Sequence, residues 1–181
     1  MIIANKIYEI LFFLTFAENF IKMLRIGNGY DVHQLRNGID LWLGGIKIES
    51  QKGAIAHSDG DVLIHAICDA LLGAAALNDI GHHFPDNDEK YKNIDSKILL
   101  RKVVDLLASK SYVIVNIDSI ICLQEPKLKP LIGDMQKCLA SVMNIDINNI
   151  SIKATTTEKL GFVGREEGIA AYAVALIEKE C

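Results

Sequence analysis

The feature that most constrains this chain is the run DVLIHAICDALLGAAAL, from Asp61 to Leu77. It is rich in Ala and Leu and reads as a helix, which Asn78 and Gly81 bring to an end. Ser58 or Asp59 can cap its start, with Asp61 in the first turn. Asp61, His65 and Asp69 recur every four residues, so they share one polar stripe on an otherwise apolar helix. Such a stripe either faces solvent or serves a site. The chain has 181 residues, enough for one domain with a sizeable core. Half of the residues are hydrophobic and 23% are charged, the balance of a soluble globular protein.

Around that helix the pattern alternates between two periods. Leu24 to His33 reads as a strand, with Leu24, Ile26, Tyr30 and Val32 on one side and Arg25, Gly27, Gly29, Asp31 and His33 on the other. Gly27-Asn28-Gly29 lacks the third glycine and the following helix of a nucleotide fingerprint. Its glycines are read instead as permitting close backbone approach. Arg36-Asn37-Gly38 is a turn, and Leu41 to Ile48 reads as a second strand with Trp42 assigned to the core. The segment ESQKGAIAHSDGD reads as a loop. NDIGHHFPDNDEKYKNIDS is a polar loop whose length points to function.

Ser96 to Ala108 is an amphipathic helix with a stripe of Ile98, Leu99, Val103, Leu106 and Leu107. Tyr112 to Leu123 is a strand whose face Val113, Val115, Ile117, Ile121 and Leu123 is apolar, and QEPKLKP breaks it. Leu131 to Met143 is a helix presenting Leu131, Met135, Leu139 and Val142. Ile150 to Ala154 is a strand, TTTEKLGFVGREEG a loop, and Gly168 to Ile177 a strand of small residues. Strands and helices mix without strict alternation, which predicts an α+β fold. Its mixed β-sheet has helices covering one face. The other face packs on something further, such as a copy of the chain.

The formal net charge is −4 and no Lys/Arg stripe appears, so no nucleic-acid partner is expected. Cys68, Cys122, Cys138 and Cys181 form no C-x-x-C pair. They read as reduced thiols of a cytosolic-type compartment, so the predicted location is cytoplasmic. Residues 1–23 are apolar but interrupted by Lys6, Glu9, Glu18 and Lys22. The uncharged run Ile10 to Ala17 is too short to span a bilayer, and no secretory signal is visible, so no membrane partner is expected. Ile7, Ile10, Leu11, Leu14 and Ile21 fit one helix face. Residues 1–23 thus read as an extension: an added helix packed on the domain, or a start assigned too early with Met23 the true start. Residues 24–181 form a single domain.

A strand points residues i and i+2 to the same face, so Asp31 and His33 project together. His57, Ser58, Asp59, Asp61 and His65 crowd into nine residues of the helix and its approach. Two histidines and one carboxylate with an open fourth position make a catalytic zinc pattern, with the remaining carboxylates free to orient the imidazoles. The stretch KATTTEK, Lys153 to Lys159, suits a phosphate or a phosphate-bound Mg²⁺, or is merely a strand edge with exposed lysines. Lys127 and Lys129 sit in the Pro-bounded EPKLKP loop. His82 and His83 face opposite ways, and neither is taken as a ligand. On these residues alone, a zinc-dependent phosphohydrolase and a binding scaffold with structural zinc both stay open. A structural zinc would want four protein ligands, and three stand out.

RIGNGYDVH, AHSDGDVLIHAICDALLGAAALNDIGHHFPD, EPK and IKATTTEKLGFVGREEGIAAYAVALI together resemble the 2-C-methyl-D-erythritol 2,4-cyclodiphosphate synthase family of the non-mevalonate isoprenoid pathway. The resemblance covers Leu24 to about Glu178. It implies a cyclising, CMP-releasing lyase. The 2-phosphate of 4-diphosphocytidyl-2-C-methyl-D-erythritol 2-phosphate would attack the β-phosphorus of the diphosphate, giving 2-C-methyl-D-erythritol 2,4-cyclodiphosphate and CMP. By the same resemblance Asp31, His33 and His65 would hold zinc, and Glu158 a magnesium or manganese ion. His57 and Thr156 would be catalytic groups, Thr156 on the α-phosphate side. His57 and Ser58 would lie beside the erythritol phosphate, Phe84 and Asp86 against the methylerythritol unit, and Asp79 and Gly81 at the ribose. Lys127, Leu128, Ala154 and Thr155 would enclose the cytosine. Asp69 matches a carboxylate supporting a zinc-binding histidine. The family is a homotrimer with active sites between subunits. Phe162 and Arg165 match positions lining a central cavity that takes an isoprenoid diphosphate. Asn28, the HQL that follows Val32 and the N-terminal extension depart from the family pattern.

Overall fold

A computed structural model describes residues 23–179; the readings of residues 1–22 and of Cys181 lie outside them. Strand β1 (Met23–Asn37) is followed by the short β2 (Leu41–Leu43), β3 (Ile46–Ile48) and β4 (Lys52–Ile55). Helix α1 (Val62–Ala74) comes next, then the single turn α2 (Ile80–His83) and helix α3 (Ser96–Ser109). Strand β5 (Tyr112–Cys122), helix α4 (Ile132–Met143), strand β6 (Ile150–Thr155), the turn α5 (Gly161–Gly164) and strand β7 (Gly168–Lys179) complete the order. The main sheet runs β4-β1-β7-β5-β6; β5 and β6 are parallel and the other pairs antiparallel. The fold is therefore α+β with a mixed sheet, and α1, α3 and α4 pack together on one side of it.

The all-apolar character of α1 follows from its place. Sheet residues of β1, β7 and β5 lie on one side and α3 on another. All of Val62 to Leu72 except Asp69 is buried. A helix apolar on most of its circumference is stable only when covered that way. Contact with β1 is unusually close. A Cβ on Gly27 would meet the Ala70 carbonyl oxygen at 2.1 Å, and one on Gly29 the Ala66 carbonyl oxygen at 2.0 Å. Gly27 and Gly29 thus do what the sequence reading asked of them, and Ala66, Ala70 and Ala74 supply the small helix face. The buried Ala171, Ala173 and Ala175 of β7 continue the same shallow floor.

Several local readings are corrected. Leu41 to Ile48 is a hairpin, split at Gly44-Gly45, where both residues take positive φ, the geometry of a two-residue turn. Lys52–Ile55, read as loop, pairs with β1. Trp42 is half-buried outside the core, with the Lys97 ammonium 5.3 Å from its ring centre. The face Val113-Val115-Ile117 is broken by a bulge between Ile114 and Asn116. An extra residue flips the alternation, so Val113 is exposed while Ile117 and Ile121 are buried. The cap of α1 is Asp61, not Ser58 or Asp59.

In β1 the alternation is correct but its two sides face the opposite way from their hydropathy. The small and polar side meets α1. Leu24, Ile26, Tyr30 and Val32 are exposed, continuous with Tyr172, Val174 and Ile120 of neighbouring strands. Tyr30 and Tyr172 pair with ring centres 4.7 Å apart. A contiguous apolar sheet face of this kind is the signature of an interaction surface. Among the described residues no helix is long and apolar enough to cross a membrane.

Candidate metal centre and its neighbouring cavities

The glycine–alanine contact sets β1 against α1 so that Asp31, His33 and His65 converge. Asp31 Oδ2 lies 2.9 Å from His65 Nδ1 and 3.0 Å from His33 Nε2, and the two ring nitrogens are 3.1 Å apart. The rings meet edge-on at 87°. A tetrahedral zinc-sized ion with bonds of about 2.0–2.1 Å needs ligand atoms about 3.3 Å apart. The triangle is within a few tenths of an ångström of that, and it is made of the N,N,O donors such an ion takes. The three residues fit a divalent metal.

Electrostatics point the same way. Burial alone would raise the Asp31 carboxyl, but hydrogen bonds from His33 and His65 and their charge outweigh it and hold the group well below the carboxylate range. Burial would lower His65, yet Asp31, and behind it Asp61 and Asp59, raise it. The second Asp31 oxygen accepts the Val32 N–H at 2.8 Å, which fixes the carboxylate plane. His65 is thus surrounded by three carboxylates, those of Asp31, Asp59 and Asp61.

The predicted polar stripe of α1 divides into three fates. Only His65 reaches the triangle. Asp61 is fully buried and accepts the N–H groups of Gly44, Gly45 and Ile64 at 3.0, 2.6 and 3.0 Å, tying the β2–β3 turn to the helix start. Asp69 accepts the Ile80 N–H at 2.8 Å, which holds α2 beside α1. Burial raises its carboxyl above the ordinary range.

A cavity of about 450 Å³ opens beside the triangle. Asp31, His33, His57, Ser58 and His65 line it together with Gly81, Phe84 and Asp86. His57 Nε2–H donates to the Asp88 carbonyl at 3.3 Å. Phe84 packs edge-on against Tyr91, with ring centres 5.4 Å apart. Asp79 caps α2 by accepting the His82 N–H, and His83 donates to the Leu77 carbonyl; neither histidine lines the cavity.

A second cavity of about 400 Å³ lies at the carboxyl ends of β5 and β6. It is lined by Lys127, Leu128, Lys129, Ala154, Thr155 and Thr156, among others, and shares no residue with the first. At its edge Thr156 Oγ1 donates to Glu158 Oε1 at 3.0 Å, and Glu158 and Lys159 both take positive φ. Lys153 pairs with Asp118. Phe162 is 40% exposed, and Arg165 makes a two-pronged pair with Glu167 at 3.0 Å. Most of the predicted residues therefore line one of two separate cavities, while Asp79, Glu158, Phe162 and Arg165 line neither of these two.

Sequence reading missed Ser96. Its hydroxyl lies 3.0 Å from His65 Nε2, and Ser58 Oγ lies 3.1 Å from the same nitrogen. Nothing local marks a serine at the start of a later helix as a partner of His65.

Comparison with known proteins follows the same boundaries. Residues 24–178 match the profile of the YgbB family. A Bacteroides fragilis protein named 2-C-methyl-D-erythritol 2,4-cyclodiphosphate synthase is 65% identical over 156 residues, covering 86% of this chain and 98% of its own. The solved structure of the bifunctional IspDF from Campylobacter jejuni superposes with a TM-score of 0.85 at 43% identity, over 88% of this chain and 43% of that longer one. Plasmodium falciparum IspF, solved as a CDP complex, gives 0.77 at 37% identity over 87% of this chain and 97% of that one.

Proposed function

The chain belongs to the YgbB family, and on that premise we propose that it is a 2-C-methyl-D-erythritol 2,4-cyclodiphosphate synthase. It converts 4-diphosphocytidyl-2-C-methyl-D-erythritol 2-phosphate to the cyclic diphosphate with release of CMP. The observation that carries the reading is the Asp31–His33–His65 triangle opening on a cavity that holds His57, Ser58, Phe84 and Asp86.

In the intramolecular reaction the attacking phosphate and the diphosphate belong to one molecule, so holding them together is the main task. Effective concentration of that kind can supply up to about 7–11 kcal/mol. Asp31 Oδ2, His33 Nε2 and His65 Nδ1 would hold zinc, which supplies Lewis acidity toward a phosphate oxygen when bound. Glu158 would hold magnesium or manganese, which would supply charge neutralisation toward the diphosphate when bound. His57 and Ser58 orient the erythritol phosphate. Phe84 and Asp86 hold the methylerythritol unit, and Asp79 and Gly81 the ribose. Lys127, Leu128, Ala154 and Thr155 enclose the cytosine. Thr156 aligns Glu158 and contacts the α-phosphate side.

Two cavities with no shared residue support a homotrimer in which one chain supplies the metal triangle and its neighbour the cytidine pocket. The exposed apolar sheet face, covering Leu24, Ile26, Tyr30, Val32 and Tyr172, is the surface those copies would bury. Phe162 and Arg165 would line a central cavity taking an isoprenoid diphosphate. The catalytic domain spans 24–181, with Met23 paired to Lys179 at its edge, and the enzyme acts in the cytoplasm, a reading that the free Cys68, Cys122 and Cys138 support.

Phosphorus NMR of the product tests the reading. A cyclic diphosphate released together with CMP is the expected result. A linear phosphate carrying solvent oxygen would instead identify a phosphohydrolase, and no turnover a binding scaffold.

A further inference from the structure

We propose that Ser96 and Asp59 are positioning residues that keep the proton of His65 on Nε2, leaving Nδ1 to the metal triangle. The inference rests on reading that triangle as a metal site.

Ser96 opens α3 and is fully buried. Its hydroxyl hydrogen has a defined destination, because Asp59 Oδ1 lies 2.5 Å away. Asp59 is itself clamped. Oδ2 accepts the Ser96 N–H at 2.9 Å, Oδ1 also accepts the Asp61 N–H at 3.2 Å, and the Asp59 N–H donates to the Ile94 carbonyl at 3.1 Å. With its hydrogen committed to Asp59, Ser96 Oγ can meet His65 Nε2 only as an acceptor, at 3.0 Å. Nε2 must then carry hydrogen. Ser58 Oγ, 3.1 Å from the same nitrogen, accepts the Gly60 N–H at 3.2 Å and can act in either sense toward the ring, so it does not decide the matter. Asp69 is bound to the Ile80 N–H. The carboxylate that reaches His65 through a partner is therefore Asp59.

An imidazole that keeps hydrogen on Nε2 and ligates a cation has only Nδ1 to offer. Nδ1 is the atom 2.9 Å from Asp31 and 3.1 Å from His33 Nε2. Chains of carboxylate, donor and histidine commonly fix ligand tautomers and raise their basicity, and losing one weakens metal affinity about 10–100-fold. Here a serine hydroxyl stands between the carboxylate and the ring, and it brings the α3 start and the α1 approach loop into one metal-directed unit.

The test is zinc affinity of metal-stripped full-length protein, measured by chelator competition, with the imidazole proton–nitrogen spectrum of the zinc-loaded form. Ser96→Ala should bind zinc about 10–100-fold more weakly, and the His65 Nε2–H signal, slow to exchange in the unaltered protein, should be lost to rapid exchange with water. Asp59→Asn should weaken binding in the same direction, and Ser96→Thr, which keeps the hydroxyl, should recover it. Unchanged affinity in a folded Ser96→Ala overturns the proposal. A zinc-loaded unaltered protein with hydrogen on His65 Nδ1 overturns it without any variant. If the unaltered protein binds no stoichiometric zinc and His65→Ala behaves identically, the metal reading itself fails and takes this inference with it.

Discussion

Gly29 of β1 lies so close to Ala66 of α1 that a methyl group on Gly29 would sit 2.0 Å from the Ala66 carbonyl oxygen. Backbone cannot move aside as a flexible side chain can, so Gly29→Ala must lift α1 from the sheet. His65 adjoins Ala66, and Asp31 stands two residues beyond Gly29, so the displacement widens the Asp31–His65 side of the triangle. The expected cost is about 3 kcal/mol of stability, at the upper end for overpacking, with zinc affinity falling in parallel. Thermal unfolding and chelator competition on one preparation check both. A variant that is destabilised yet binds zinc as before would show that the close approach serves packing alone.

That contact also shows how far the sequence could be read. Two glycines alternating in a strand announce a close neighbour, but no local pattern says that the neighbour is the Ala-lined face of α1. Asp31 and His33 were placed on one face by period alone. Burial was not legible in the same way. Hydropathy puts Tyr30 and Val32 inside, whereas α1 can approach only the side bearing glycine, and the apolar side is left outward. The bulge at Val115 and the hairpin turn at Gly44-Gly45 are one- and two-residue events that a periodicity window averages away. Ser96 and Asp59 were invisible as a pair, because their meeting depends on where α3 starts in space and not on any local pattern.

Asp61 offers a prediction separable from chemistry. It accepts three backbone N–H groups while fully buried, joining the hairpin turn to the first turn of α1. Asp61→Ala removes a helix cap and leaves the buried donors of Gly44 and Gly45 unpaired. Each such donor costs about 1–3 kcal/mol and the cap about 1 kcal/mol, so a loss of about 3 kcal/mol or more is expected. Denaturant unfolding measures it. Zinc stoichiometry of the folded fraction should be unchanged, since Asp61 does not reach the triangle.

His65→Ala and Glu158→Gln should fail differently. The first removes a triangle donor, so zinc and turnover are lost together. The second leaves the triangle whole, so zinc content stays at that of the unaltered protein while turnover falls about 10²-fold or more, the scale for removing one charge-stabilising contact at a phosphoryl group. Metal analysis beside CMP release at varied Mg²⁺ separates the two. Full activity of Glu158→Gln at limiting Mg²⁺ would remove Glu158 from the reaction.

The same two variants decide whether the active site is shared between chains. On the argument above, His65→Ala alone is inactive and Glu158→Gln alone keeps at most about a hundredth of the turnover. If the triangle and the Glu158 loop of one site come from the same chain, mixing the two proteins restores nothing, because every chain carries one defect. If they come from neighbouring chains of a closed ring, a mixed trimer contains sites whose triangle is donated by a Glu158→Gln chain and whose loop is donated by a His65→Ala chain. Both halves of such a site are intact. With equal amounts and random reassembly after mild dissociation, the chance of that arrangement is about one in four at each site. About a quarter of the unaltered activity should therefore return. A third variant fixes the route: Tyr172→Glu, which buries a charge in the exposed apolar face next to Tyr30, should abolish both the trimer in sedimentation and the recovery on mixing. Recovery without any assembly larger than a monomer would contradict the ring.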